Sequence, residues 1–149
     1  MKAKDFLSRD QQKAVVTAIM EAEKNTSGEI RVHIDEKCRK TPVERAQAVF
    51  HTLKMDDTQL RNGVLIYVAC QSKVFAIIGD KGINDVVPSD FWNDICSGMA
   101  AKFKEGQFAE GIICAVKATG EKLKEFFPYS LDDVNEQPDD ISFEGEIKE

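Results

Sequence analysis

Two short apolar runs stand out along the chain. Val64–Ala69 and Val74–Ile78 are rich in β-branched and aromatic residues, and only Cys70-Gln71-Ser72-Lys73 separates them. Runs of this length, bounded by turn signals, predict buried strands rather than helices. The short polar spacer predicts an antiparallel hairpin. Both runs are apolar throughout, so both faces of the sheet need cover, most simply by helices. Polar residues gather at one end of the hairpin: Arg61, Asn62 and Gly63 before the first strand, Gly79, Asp80 and Gly82 after the second. In an antiparallel pair the start of one strand lies beside the end of the next. A site is first expected at that end of the sheet.

The flanking pattern supplies the helices. Ser8-Arg9-Asp10-Gln11 has the form of a capping box, and Ala14, Val15, Ala18, Ile19 and Ala22 follow on one helical face. This helix is predicted to run to about Lys24 and to stop at Asn25-Thr26-Ser27-Gly28. Gly28–Asp35 then alternates, with Ile30, Val32 and Ile34 on one side and Glu29, Arg31, His33 and Asp35 on the other. That period predicts a half-buried strand, its polar face solvated or turned toward a ligand. His33 reads as a solvated edge residue. Thr41-Pro42-Val43-Glu44 predicts a helix start, with Ala46, Val49, Phe50 and Leu53 as the buried stripe and His51 off it. No serine or cysteine in a nucleophile motif lies near His51.

Beyond the hairpin, Gly79-Asp80-Lys81-Gly82 reads as a glycine turn that permits positive φ and close backbone approach. It is not a phosphate-binding P-loop, because no GKS or GKT follows. A helix is predicted to open at Pro88 or Ser89, with Phe91, Trp92, Ile95, Met99 and Phe103 inward and Gly106 as its C-terminal cap. Asp90 and Asp94 stand one turn apart and read as a solvated acidic face. A last helix, about Phe108–Phe127, packs Ile112, Ile113, Val116 and Leu123 before Pro128 stops it.

Composition narrows the class. With 149 residues, 42% hydrophobic and 31% charged, the chain reads as one soluble globular domain. The net charge of −6 is uneven, because residues 129–149 hold eight acids and one lysine. The domain is therefore read as residues 1–128. Residues 129–149 read as an acidic tail, disordered or loosely docked, with apolar beads at Val134 and Ile141–Phe143. No basic stripe points to nucleic acid or an anionic membrane. Cys38, Cys70, Cys96 and Cys114 lack zinc-site spacing. Cys70, Cys96 and Cys114 read as small buried hydrophobes. With no apolar signal core at the start and no stretch of membrane-spanning length, a reducing cytoplasm is expected.

Candidate chemistry is mostly acidic. Asp56-Asp57-Thr58 reads either as a capped turn or as a carboxylate pair suited to a hard cation. Asp80 and Asp85 flank the glycine turn and favour a cation or a coordinated loop.

SGEIRV, RNGVLIYVA, FAIIGDKGI, Phe91-Trp92 and MAAKFKEGQFAEGI, in that order, resemble the TPM domain family over roughly residues 8–128. The resemblance implies an α/β fold: a small mixed sheet of three to four strands, with a central antiparallel hairpin, between about four helices. It also implies divalent cations, calcium or magnesium, held by acids at the sheet end, and an association with acid phosphatase activity. Carried onto this chain, the expected cation ligands are Asp56, Asp57, Asn62, Asp80 and Asp85. Arg61 and Lys81 are the expected phosphate contacts, and Gly63, Gly79 and Gly82 the structural turn residues. Many members carry a signal peptide and a membrane anchor, whereas this chain is expected to be a stand-alone cytoplasmic bacterial form and a monomer. Its expected partners are a metal ion and a phosphorylated small molecule or protein, with no nucleic acid and no membrane insertion. Neither a CxxxxxR loop nor a DxDx(T/V) motif is present. Cation binding with weak phosphatase activity is therefore the first expectation. The alternatives are a non-catalytic protein-interaction module, using the domain surface or the acidic tail, and a metal-independent hydrolase using His51 or His33.

Overall fold

The structure, a computed structural model, describes residues 2–129 and 140–145. The two apolar runs form β2 (Gly63–Ala69) and β3 (Val74–Gly79), paired antiparallel with Val64 opposite Gly79 and Ala69 opposite Val74. Their turn closes where the Lys73 amide donates to the Ala69 carbonyl at 2.9 Å. The alternating segment is β1 (Glu29–Asp35), parallel to β2 in the register Glu29–Gly63 to Asp35–Ala69. A fourth strand, β4 (Ile141–Phe143), pairs parallel to the other edge of β1, giving the order β3-β2-β1-β4. The fold is thus α/β around one mixed sheet with a central antiparallel pair.

Helices cover both faces. α1 (Arg9–Glu23), α4 (Asn93–Lys104) and α5 (Phe108–Phe126) lie on one side, and α2 (Pro42–Thr52) on the other. The larger core joins Ile19, Met99, Ile112 and Leu123 to Ile30, Ile34 and Ile66 of the sheet. The smaller core joins Val49 and Phe50 of α2 to Leu65 and Tyr67. α1 has the expected capping box: Ser8 Oγ accepts from the Gln11 amide at 3.1 Å, and Gln11 Oε1 accepts from the Ser8 amide at 2.9 Å. Thr41 caps α2 through the Glu44 amide at 3.2 Å, with Pro42 in the first turn. Gly120 lets α5 lie against α1, since a Cβ there would stand 2.8 Å from the Ala22 Cβ.

Four features depart from the sequence reading. β1 is buried along its whole length, and His33 and Asp35 have no exposed surface. It is no edge strand: β2 and β4 flank it, and Arg45 of α2 reaches over its polar side to Asp35. Ile141–Phe143, expected within a loosely docked tail, forms β4 and buries both apolar side chains. Residues 130–139 and 146–149 of that expected tail lie outside the described residues. α4 begins at Asn93 rather than Pro88 or Ser89. Turn hydrogen bonds from Phe91 to Pro88 and from Asn93 to Asp90 precede it, while Phe91 packs edge-on against Trp92 and Phe126. Cys70 and Cys96 are half-buried against the larger core, but Cys114, expected to be a buried hydrophobe, is exposed on α5, outside its buried stripe. Among the described residues, no helix is long and apolar enough to cross a membrane.

Candidate functional site

The antiparallel pairing of β2 and β3 brings the segment before β2 against the segment after β3. Gly63 O accepts from the Asp80 amide, and Arg61 O from the Gly82 amide, both at 2.9 Å. Lys81–Asn84 then form one helical turn, α3, where the sequence suggested a glycine turn. Positive φ occurs at Arg61 (φ 51), not at Gly79 or Gly82. The demand on Gly82 is space: a Cβ there would lie 2.2 Å from Leu60 O and 2.6 Å from Arg61 O. Only glycine lets the two segments approach so closely.

Asp80 sits at the centre of this junction. Its Oδ1 accepts from the Lys81 amide at 2.7 Å, capping α3. The Arg61 guanidinium grips it as a fork, with Nε donating to Oδ2 at 2.7 Å and Nη2 to Oδ1 at 2.9 Å. These hydrogen bonds, and the charge of Asp80, push the Arg61 pKa above its ordinary value. Asp80 is buried, whereas the Arg61 side chain is 47% exposed. A cleft of about 630 Å³ opens here, lined by Asp56, Arg61, Gly79, Asp80, Lys81 and Trp92 among others.

Of the expected site residues, the cleft therefore collects Asp56, Arg61, Gly79, Asp80 and Lys81. Asp56 also faces His51, at 3.3 Å. The others have different placements. Asn62 is buried; its side-chain Nδ2 donates to Ser27 Oγ at 3.3 Å and its backbone carbonyl accepts from the Glu29 amide at 3.3 Å, tying β1 to the start of β2. Asp57 is exposed and does not line the cleft. Asp85 pairs with Lys81 at 2.7 Å on the exposed surface of α3. Among the described residues, no three or more His, Cys, Asp or Glu side chains are grouped to hold a metal.

A second concentration of polar groups lies at the opposite end of the sheet. His33 places Nε2 2.6 Å from Asp35 Oδ1 and Nδ1 2.8 Å from Ser142 Oγ. Tyr67 donates to Asp35 Oδ2 at 2.6 Å, and Arg45 Nε donates to the same oxygen at 2.8 Å. Burial pushes the Asp35 pKa up, but hydrogen bonds from His33, Arg45 and Tyr67 outweigh it and hold the carboxyl well below the usual range. Burial and the Asp35 carboxylate together push Tyr67 far above its ordinary value. The sequence carried one signal of this cluster, His33 and Asp35 two apart on the polar side of β1. Tyr67 was hidden inside an apolar run, and Ser142 inside the acidic tail.

An α/β fold with this sheet and this junction carries the sequence features of one family. The chain matches the TPM domain over residues 1–122 and belongs to that family. Among solved structures, it is similar to the BA42 protein from the psychrophilic bacterium Bizionia argentinensis, determined by NMR. The two share 48% identity, with a TM-score of 0.89 over 95% of this chain and 98% of that one. No curated protein matches the sequence.

Proposed function

We propose that this TPM domain binds a divalent cation, calcium or magnesium, in the cleft at Asp80, together with a phosphorylated ligand. One observation carries the reading: Asp56 and Asp80, from opposite sides of the junction, line one cleft with Arg61 and Lys81. Two carboxylates completed by water suit a magnesium ion, and carboxylate oxygens are hard donors suited to calcium as well. Thr58, in the same loop as Asp56, has a buried hydroxyl without a hydrogen-bond partner among the described residues, a further oxygen near the junction. Asp80 and Asp56 would hold the ion. When bound, such an ion neutralises phosphoryl oxygens and lowers the pKa of attached water.

The chain's own residues set the rest of the chemistry. Asp80 is preorganised by the Lys81 amide and by its own amide's bond to Gly63 O just past the end of β3, so little rearrangement is needed to present it. Arg61 occupies both oxygens of Asp80 and so competes directly with a cation. Its exposed side chain is free to swing onto an oxyanion, where its planar fork suits a phosphate. Cation and phosphate therefore reinforce each other's binding: one frees Arg61, and the other removes its competition. Among the described residues no Ser, Cys or His lines the cleft, so binding is placed ahead of hydrolysis.

Calorimetry on Arg61→Ala tests this. Calcium and magnesium are expected to bind the variant several-fold more tightly than the wild type, and inorganic phosphate more weakly. Unchanged affinity for both cations would rule the competition out.

A further inference from the structure

We propose that the cavity at the carboxyl ends of β1 and β4 is a second binding site, for a small ligand with clustered oxyanions such as a diphosphate. It lies at the other end of the sheet from Asp80, about 20 Å away by the rise of a seven-residue strand, and does not rest on the cation reading.

The cavity measures about 740 Å³ and is lined by Lys37, Arg39, Lys40 and Arg45, with Glu36 and Glu144 as its acids. That volume is within the range of small-molecule sites. Open α/β sheets bind ligands outside the carboxyl ends of their strands, and β2 and β4 both run parallel to β1 here. The two acids are engaged by backbone amides. Glu36 Oε2 accepts from Ala3 at 3.3 Å, and Glu144 Oε1 accepts from Glu36 at 3.2 Å. Lys37, Arg39 and Lys40 make no ion pair among the described residues.

The basic segment is held in place. The Gln71 amide donates to Glu36 O at 2.8 Å, the Cys38 amide to Ser72 Oγ at 2.9 Å, and Cys38 Sγ lies 3.0 Å from Lys40 O. It leads directly into the N-terminus of α2, whose dipole favours an anion. The buried cluster now has a role. Asp35, fixed by His33 and Tyr67, holds the Arg45 guanidinium against the cavity floor, where His33 also lies. A buried ion pair is weak evidence for stability, but it presents an arginine in one geometry. Among the described residues that line it, the four cations exceed Glu36, Glu144 and the underlying Asp35 by one charge. Three of them are surface side chains able to converge on a ligand.

The test is a nitrogen–proton chemical-shift titration of the full chain with pyrophosphate, in the absence of divalent cations. Saturable shifts are expected at residues 36–45, Gln71 and Glu144, while residues 61–63 and 79–82 stay still. A double variant, Lys37→Glu with Arg39→Glu, is expected to bind at least about tenfold more weakly, with its remaining spectrum unchanged. Three results each overturn the site: no shifts at residues 36–45, the same shifts from sodium chloride at matched ionic strength, or wild-type affinity in the double variant. Shifts confined to residues 61–63 and 79–82 would also overturn it while leaving the cleft at Asp80 intact.

Discussion

Replacing Asp35 by asparagine keeps the side-chain volume and removes the charge, so no cavity confuses the result. In the native protein His33, Arg45 and Tyr67 all converge on this carboxylate, at 2.6, 2.8 and 2.6 Å. Breaking a buried pair while its partner stays costs about 3–5 kcal/mol. Two features favour the lower end. The Arg45 side chain is 18% exposed, so water recovers part of its solvation. The His33 ring can also turn acceptor toward the new amide. We expect a loss of about 3 kcal/mol at pH 7, a large fraction of the roughly 5–15 kcal/mol that holds a domain together. With a urea slope of about 1–3 kcal/mol/M, the midpoint falls by about 1–3 M. The pH dependence has a definite sign. The Asp35 pKa is lowered on folding, so its contribution is fully present above the unfolded value of about 3.9 and is lost as pH falls toward the folded one. The gap between wild type and Asp35→Asn is therefore full at pH 7 and narrower at pH 3. Urea unfolding followed by circular dichroism at both values measures it. A gap below about 1 kcal/mol at pH 7, typical of a surface pair, would refute the reasoning, as would a gap that widens at pH 3.

Gly82→Ala is expected to destabilise the protein by about 1–3 kcal/mol through overpacking, because its Cβ would meet the carbonyls of Leu60 and Arg61. Thermal melts measure the loss, and the amide resonances of Arg61 and Asp80 should move with it, since both belong to the displaced junction. Gly120→Val should lower stability by a similar amount by pushing α5 off Ala22. A melting temperature equal to that of wild type would show that the helices separate without cost.

The hairpin was legible because both of its strands are apolar throughout, and the helix starts because Ser8, Gln11, Thr41 and Pro42 act within one turn. The polar side of β1 was legible as a pattern but not as a place. Period two shows alternation, and what covers it is decided by partners 10, 32 and 109 residues away in sequence. β4 is three residues long, too short to show any period, and lies in an acidic segment whose composition argues for disorder. At the junction, the meeting of Arg61 with Asp80 follows from antiparallel pairing. Their grip on each other depends on the positive φ of Arg61 and the bare Cα of Gly82, and neither is visible from residue type alone.

The cleft at Asp80 is tested most directly by titrating the chain with calcium, then magnesium, and following backbone amide shifts in the wild type and in Asp80→Asn. The cation reading predicts saturable shifts centred on Asp56, Arg61 and Gly79–Lys81, lost or strongly weakened in the variant. An absence of shifts at those residues, or an identical response from Asp80→Asn, would contradict it.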